Sequence, residues 1–316
     1  MLNGEASEWA PVTSGVPQGS VLGPLAFVIF INDIDAHALL ITLLNKFADD
    51  TKCGNVISDQ SDVANLQKCL DDHVEWADKW GMAFNVQKCK VMHIGRTNPK
   101  ATYTMSGSNL STTEAERDIG VKVHHSLRPS LQCREAALRG NAVLGQISRA
   151  FHYRDRRTFV QLYKQFVRPH LEFAVPAWAP WTLADTQTLE RVQQRAIRMV
   201  SGLKSNTYEG RLKELGLLSL ADRRIQFDLV QTFKIIRGFD DVKSETWFDL
   251  VGDNPTRITR ATSDPLNIIS RNPRCEIRKH FFSQRVTDKW NDLPSEVKNS
   301  PNVATFKKYI FNMLLK

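Results

Sequence analysis

Long apolar runs are missing from this chain. Its best candidates, LAFVIFI (25–31) and LLITLL (39–44), fall far short of the ~20 residues a membrane-spanning helix needs, so no membrane association is expected. Cysteine is scarce. The five residues at 53, 69, 89, 133 and 275 are scattered, with no CxxC and no matched histidine pair. Neither a zinc site nor a disulfide framework is therefore expected, and a reducing, intracellular compartment, nuclear or cytoplasmic, fits best. His124-His125, near Cys133, reads as a turn. No basic stretch leads into an apolar one at the N-terminus, so no secretory leader is expected. Internal repeats and low-complexity tracts are absent as well, which excludes repeat arrays and disordered linkers.

What is present belongs to a folded protein. The 316 residues are 42% hydrophobic and 24% charged, enough for two domains and a sizeable core. Net charge is +8, but it is unevenly spread. Residues 1–60 hold two basic and seven acidic side chains, residues 134–168 eight basic against two acidic, and residues 257–316 twelve against five. That asymmetry suggests a polyanion-binding C-terminal part, with solvated helix faces as the plainer reading of any single cluster.

SGVPQGSVLGP (14–24) is loop chemistry, with Pro24 suited to a first helical position and Leu25 to Ile31 to a buried helix. Residues 39–57 predict a hairpin with its turn at Asp49-Asp50. From 61 to 80, Val63, Leu66, Leu70, Val74 and Ala77 recur at helical spacing and Gly81 follows as a stop. Short strands are predicted at 82–86, 90–95, 101–105 and 119–123. Beyond roughly 130 the pattern is helical almost throughout, clearest over 157–173 and 185–203. A loop is expected over 256–275, and last helical stretches over 276–291 and 303–315.

Chance alone predicts about one adjacent Asp pair in a chain of this composition; there are three. Asp71-Asp72 falls on the polar face of an amphipathic helix, and Asp240-Asp241 follows Gly238 in a loop. Only Asp49-Asp50 sits at the tip of an apolar hairpin, where a turn could aim two carboxylates at one point. An ordinary Asp-containing β-turn is the alternative.

SGVPQGSVLGPLAFVIFINDI, followed some twenty residues later by KFADDTK, resembles the reverse transcriptases of non-LTR (LINE-type) retrotransposons, close to the jockey-like branch. Pro17-Gln18-Gly19 matches that family's motif B, and Phe47-Ala48-Asp49-Asp50 its [FY]xDD motif C. GMAFNVQKCKVMHIG looks like motif D, with Lys88 at the family's lysine. VQLYKQFVRPHLEFAVPAW, LERVQQRAIRM, YEGRLKELGLLSLADRR and FFSQRVTDKWNDLPSEVKNS look like thumb and C-terminal segments.

The resemblance implies an α+β fold. A partial polymerase palm of antiparallel strands and helices would span 1–125, a helical, basic, thumb-like region 126–255, and a C-terminal region 256–316. It implies RNA-directed DNA polymerase chemistry on an RNA template, a DNA primer and deoxynucleotides. Two Mg²⁺ ions roughly 3.5–4 Å apart would serve the transfer. Asp49 would be the principal ligand and Asp50 its support. Pro17, Gln18, Gly19, Phe47 and Ala48 would line the nucleotide and template base, and Lys88 would sit near the triphosphate. Arg154, Arg156 and Arg157, the densest basic cluster, would meet the nucleic-acid backbone. A third carboxylate, from motif A, has no counterpart before Ser14, where the only acids are Glu5 and Glu8. The two-metal site is therefore expected to be incomplete, and the chain a 5′-truncated, inactive copy. The alternative is a non-catalytic nucleic-acid-binding remnant or pseudogene product.

Basic helices over 134–213 and 257–316 that grip phosphates should lose affinity for a primer–template steeply between about 50 and about 200 mM salt, with little sequence preference. Fluorescence anisotropy measures this directly. A flat salt response would argue against phosphate contacts.

Overall fold

The computed structural model describes residues 15, 19–35, 41–205, 207–253 and 264–315. They form an α+β fold of many helices and small two-stranded sheets, divided into two compact units, 1–114 and 115–316.

The first unit begins with α1, Leu22–Phe30. It starts two residues before the expected Pro24, because the Ser20 hydroxyl accepts the Gly23 N–H at 2.9 Å. Proline is harmless there, since first-turn N–H groups lack intrahelical partners. The expectation of a buried helix is corrected. Phe27, Phe30 and Ile31 face a small core with Trp76, while Leu25, Val28 and Ile29 stand 58%, 57% and 68% exposed. Strands β1 (Leu43–Phe47) and β2 (Asp50–Gly54) pair antiparallel, with Phe47 opposite Asp50. The turn is therefore Ala48-Asp49, one residue earlier than expected, and Asp50 opens the second strand.

Helix α2, Gln60–Lys79, is capped by Asp59, whose side chain accepts from the N–H groups of Ser61 and Asp62 while Asp62 reciprocates. Gly81, at φ +66°, ends it as expected. The buried face carries Cys69, His73 and Trp76 beside Val63 and Ala77. MAFNV (82–86) is not a strand: it finds no partner strand, folds into a turn through Lys88 N–H to the Asn85 carbonyl, and packs Phe84 near His73. The neighbouring strands are shorter than predicted. They are β3 (Lys90–Val91), β4 (Thr104–Met105), β5 (Ser108–Asn109) and β6 (Ser111–Thr112), pairing β3 with β6 in parallel and β4 with β5. They enclose Tyr103, Met105 and Leu110 against α2.

The second unit opens with the hairpin β7 (Ala115–Asp118) and β8 (Val121–His124). Ile119 and Gly120, read as strand, are its turn, because a two-residue hairpin whose twist matches its strands takes positive φ, here 44° and 82°. Of His124-His125, read as a turn, only His125 lies in one; His124 ends β8, its Nδ1 2.7 Å from the Ser126 hydroxyl. Helices α3 (Ser130–Ala150) and α7 (Leu183–Arg198) pack closely. Gly140 permits this, since a Cβ there would meet Val192 Cγ1 of α7 at 3.3 Å, as well as Leu171 Cδ2 at 3.0 Å. Between them run α4 (Arg156–Leu162), a π turn (Tyr163–Val167), α5 (Arg168–Glu172) and α6 (Val175–Trp178). Pro169 has no N–H to bond four residues back, and the Arg168 N–H reaches the Tyr163 carbonyl instead.

Helices α8 (Tyr208–Leu215) and α9 (Leu220–Ile236) follow. The remainder consists of the short helices α10 (Glu276–Lys279), α11 (Phe282–Arg285), α12 (Thr287–Asn291) and α13 (Ser295–Lys298), and then α14 (Val303–Leu314). Phe233, Trp290, Phe306 and Ile310 are fully buried there, with Phe233 stacked on Phe306 at 4.3 Å. Residues 256–263 of the expected loop lie outside the described residues; 264–275 form no helix or strand, and Ile268 bridges to Leu250.

Lys298 is 1% exposed, yet its ammonium donates to Asp264 at 3.2 Å, Asn267 Oδ1 at 2.6 Å and the Asn291 carbonyl at 3.3 Å. Burial pushes the Asp264 carboxyl up, but the Ser295 hydroxyl, the Leu266 N–H and Lys298 together hold it below the ordinary carboxylate range. A depressed folded pKa stabilises the fold above the unfolded value and loses that contribution as pH falls through the folded one. Asp264→Ala, which strands a buried ammonium, should cost about 3–5 kcal/mol near neutral pH. The difference from wild type in urea unfolding should shrink below about pH 4.

Candidate active site

The tip of the β1–β2 hairpin carries the expected pair of carboxylates. Its two-residue turn needs positive φ at the first position, and Ala48 supplies it at 52°. That conformation costs a side chain with a Cβ about 1–2 kcal/mol, so the turn is held by its surroundings. The Asp49 and Asp50 side chains are exposed, and neither carboxylate forms a hydrogen bond or ion pair with a described residue. Phe47 beside them is 61% exposed.

The rest of the hairpin is tethered from below. Lys46, on the inner face, donates to the Asn32 carbonyl at 2.8 Å and pairs with Asp35 at 2.9 Å, which ties β1 to the segment after α1. Its hydrogen bond holds the Asp35 carboxyl below its ordinary value. Trp76 Nε1 donates to Asp33 Oδ1 at 2.9 Å and fixes that same segment to α2. On β2, Cys53 Sγ lies 3.9 Å from His73 Nε2, and Cys69 Sγ lies 3.6 Å from His73 Nδ1. Burial pushes the Cys53 thiol up to about 12 and raises Cys69 as well. Lys46, Cys53 and His73 carry no motif, and the sequence reading passed over them as site supports. Their one signal was proximity in sequence to Asp49-Asp50 and to the buried face of α2.

The remaining expected residues scatter. Gly19 has φ +78° and open space where a Cβ would stand, so the backbone angle alone asks for glycine. Pro17 and Gln18 lie outside the described residues. Lys88 is exposed in the turn after α2, and no hydrogen bond or ion pair among the described residues joins it to Asp49 or Asp50. Two of the three arginines are engaged within the fold. Arg154 caps the end of α3 through the Ser148 and Phe151 carbonyls, at 2.9 and 3.1 Å. Arg156 holds the Gly202 carbonyl at 2.6 Å and Glu214 at 2.9 Å. Arg157 is exposed in the first turn of α4, behind the Asp155 cap.

The donor set suits Mg²⁺, a hard cation that takes carboxylate oxygens. It supplies two ligands: among the described residues no third acidic or histidine side chain gathers with Asp49 and Asp50. An exposed hairpin presenting paired carboxylates, beside a helix and small two-stranded sheets, fits the α+β fold expected of a reverse transcriptase fragment.

The comparisons agree with that class. Residues 1–133 match the family described as "Reverse transcriptase (RNA-dependent DNA polymerase)". The chain is 24% identical over 215 residues to "RNA-directed DNA polymerase from mobile element jockey" of Drosophila melanogaster, covering 64% of this chain and 23% of that protein. It is 28% identical over 205 residues to the jockey polymerase of Drosophila funebris, covering 60% and 22%. It is also 24% identical over 200 residues to "Probable RNA-directed DNA polymerase from transposon X-element" of Drosophila melanogaster, covering 60% and 22%. The resemblance to jockey-like, non-LTR reverse transcriptases is thereby borne out, and the chain is related to them. The matched segments span less than a quarter of these curated relatives. No solved structure matches. Among the described residues, no helix is long and apolar enough to cross a membrane.

Ala48→Val adds a β-branch at positive φ and should destabilise the first unit by about 1–2 kcal/mol, whereas Ala48→Gly should be tolerated. Urea unfolding followed by the fluorescence of Trp76 and Trp80 tests the pair.

Proposed function

We propose that these residues are the motif B-to-D part of the palm, with a following thumb, of an RNA-directed DNA polymerase of a non-LTR retrotransposon. The observation that supports this most is the hairpin tip, where Asp49 and Asp50 lie exposed beside Phe47, with no counter-ion among the described residues. In this reading residues 1–125 form the palm segment, 126–255 the basic thumb and 256–316 a C-terminal region.

Asp49 and Asp50 would hold Mg²⁺, and a bound pair of such ions eases deprotonation of a primer hydroxyl and steadies the phosphate charge. Asp49, in the turn itself, would be the direct ligand, and Asp50, anchored in β2, the support. Ala48 holds the turn geometry, and Phe47 offers an apolar ring edge to a nucleotide. Pro17, Gln18 and Gly19 would form the wall against which the template base and incoming nucleotide rest. Lys88, on an exposed turn, would reach the triphosphate and hold or deliver a proton to the leaving pyrophosphate. Of the arginine trio, Arg157 is the best placed for phosphate contact, because Arg154 and Arg156 already satisfy carbonyls and Glu214.

The test is primer extension on an RNA template with Mg²⁺, using residues 1–316 fused behind a segment that bears the family's motif A aspartate. The fusion should extend the primer. Asp49→Asn should lower the rate by orders of magnitude, because groups that act as a unit fail together, and Asp50→Asn should weaken it less. Residues 1–316 alone, with two carboxylates, should show no extension. A fusion indifferent to Asp49→Asn would reduce the hairpin tip to an ordinary turn.

A further inference from the structure

We propose that Cys53, Cys69 and His73 form a binding site for one thiophilic divalent cation, Zn²⁺ by its chemistry, which ties the hairpin strand β2 to helix α2. This reverses the expectation drawn from the cysteine spacing. No CxxC is needed when the fold supplies the proximity: Cys69 and His73 lie one turn apart on α2, and Cys53 comes from the strand packed against it. One ligand atom from each of the three residues lies within 4.8 Å of the other two. Around a tetrahedral zinc ion, with Zn–S about 2.3 Å and Zn–N about 2.0 Å, ligand atoms sit about 3.5–3.8 Å apart. The Cys53 Sγ–His73 Nε2 distance of 3.9 Å is therefore nearly that of a loaded site.

The histidine tautomer supports the same reading. His73 is 3% exposed, and its Nδ1 lies 2.6 Å from the Cys69 carbonyl, which can only accept. Nδ1 therefore carries the proton, and the lone pair is on Nε2, facing Cys53. A ring N–H fixed on a backbone carbonyl is how proteins orient a metal-binding imidazole. Two sulfurs and one imidazole are a soft donor set, suited to zinc rather than to magnesium, so the site would not compete with Asp49-Asp50 for the hard cation. Cys69 is buried and Cys53 half-buried, which leaves the fourth position to water on the Cys53 side. Binding balances as two thiols plus M²⁺ giving two bound thiolates and two protons released to solvent.

The experiment is a Co²⁺ titration of the purified, reduced 316-residue chain, followed by displacement with Zn²⁺. One equivalent of Co²⁺ should produce sulfur-to-cobalt charge-transfer absorption in the near ultraviolet. One equivalent of Zn²⁺ should bleach it, with two protons released per chain. Cys53→Ser and Cys69→Ser should each remove the band, Cys275→Ser should keep it, and His73→Gln should weaken affinity by more than about tenfold. Where a variant fails to fold, the wild-type chain still decides: Zn²⁺ should shield Cys53 and Cys69, and not Cys275, from alkylation mapped by peptide mass. Absence of the band, its persistence in both serine variants, or equal alkylation with and without Zn²⁺ would overturn the proposal and leave a plain S–H···N hydrogen bond. No readout depends on polymerization, so its failure and that of the polymerase reading are separable.

Discussion

A two-stranded ribbon is marginal in water unless something packs against it, and the β1–β2 hairpin pairs with no third strand among the described residues. Its outer face, with Leu43 and Phe47, is open. On its inner face the hairpin is tied through Lys46 to the segment after α1 and through Cys53 to α2. That segment is in turn held by the Trp76 indole on Asp33. The position of the two carboxylates therefore depends on a few polar contacts at the foot of the hairpin rather than on a sheet.

Much of the site was legible in the sequence, and the misses share a cause. The hairpin was visible because apolar residues flank Asp49-Asp50, but the turn is set by which residue adopts positive φ, and nothing in Phe-Ala-Asp-Asp marks Ala48 for that. MAFNV has the composition of a strand, yet a strand needs a partner, and Phe84 instead satisfies its burial against α2 from an irregular backbone. The same blindness to partners made LAFVIFI look buried. The arginine cluster was read as a surface feature because charge counts say nothing of nearby carbonyls. Arg154 meets the end of α3 and Arg156 reaches Gly202 across some 46 positions of sequence. Helix α2 was the easiest element, since its cap, its periodicity and its terminal glycine agree.

The second unit is organised differently, around apolar cores joined by bidentate ion pairs. Arg223 grips both oxygens of Glu172 at 2.7 Å, and Arg285 both oxygens of Asp228 at 2.8 and 2.7 Å. Burial raises the Asp228 carboxyl even against Arg285, so desolvation offsets much of what the pair contributes to stability. Part of the positive charge counted in the sequence is thus neutralised inside the fold, and the surface facing any polyanion is less basic than composition suggests.

The π turn at Tyr163–Val167 changes how the helical stretch around it must be counted. An α-helix advances about 100° per residue, and a widened turn absorbs one residue without that advance. The stripe containing Phe159 and Tyr163 and the one containing Leu171 thus belong to two phases of one rod, both ending on the core. Removal of one residue there would restore an unbroken 3.6 count and leave Glu172 facing Arg223, whereas winding the same residues into a regular α-helix would swing Glu172 by roughly a quarter turn away. The irregular turn is a phase correction, and the ion pair is what it keeps in register.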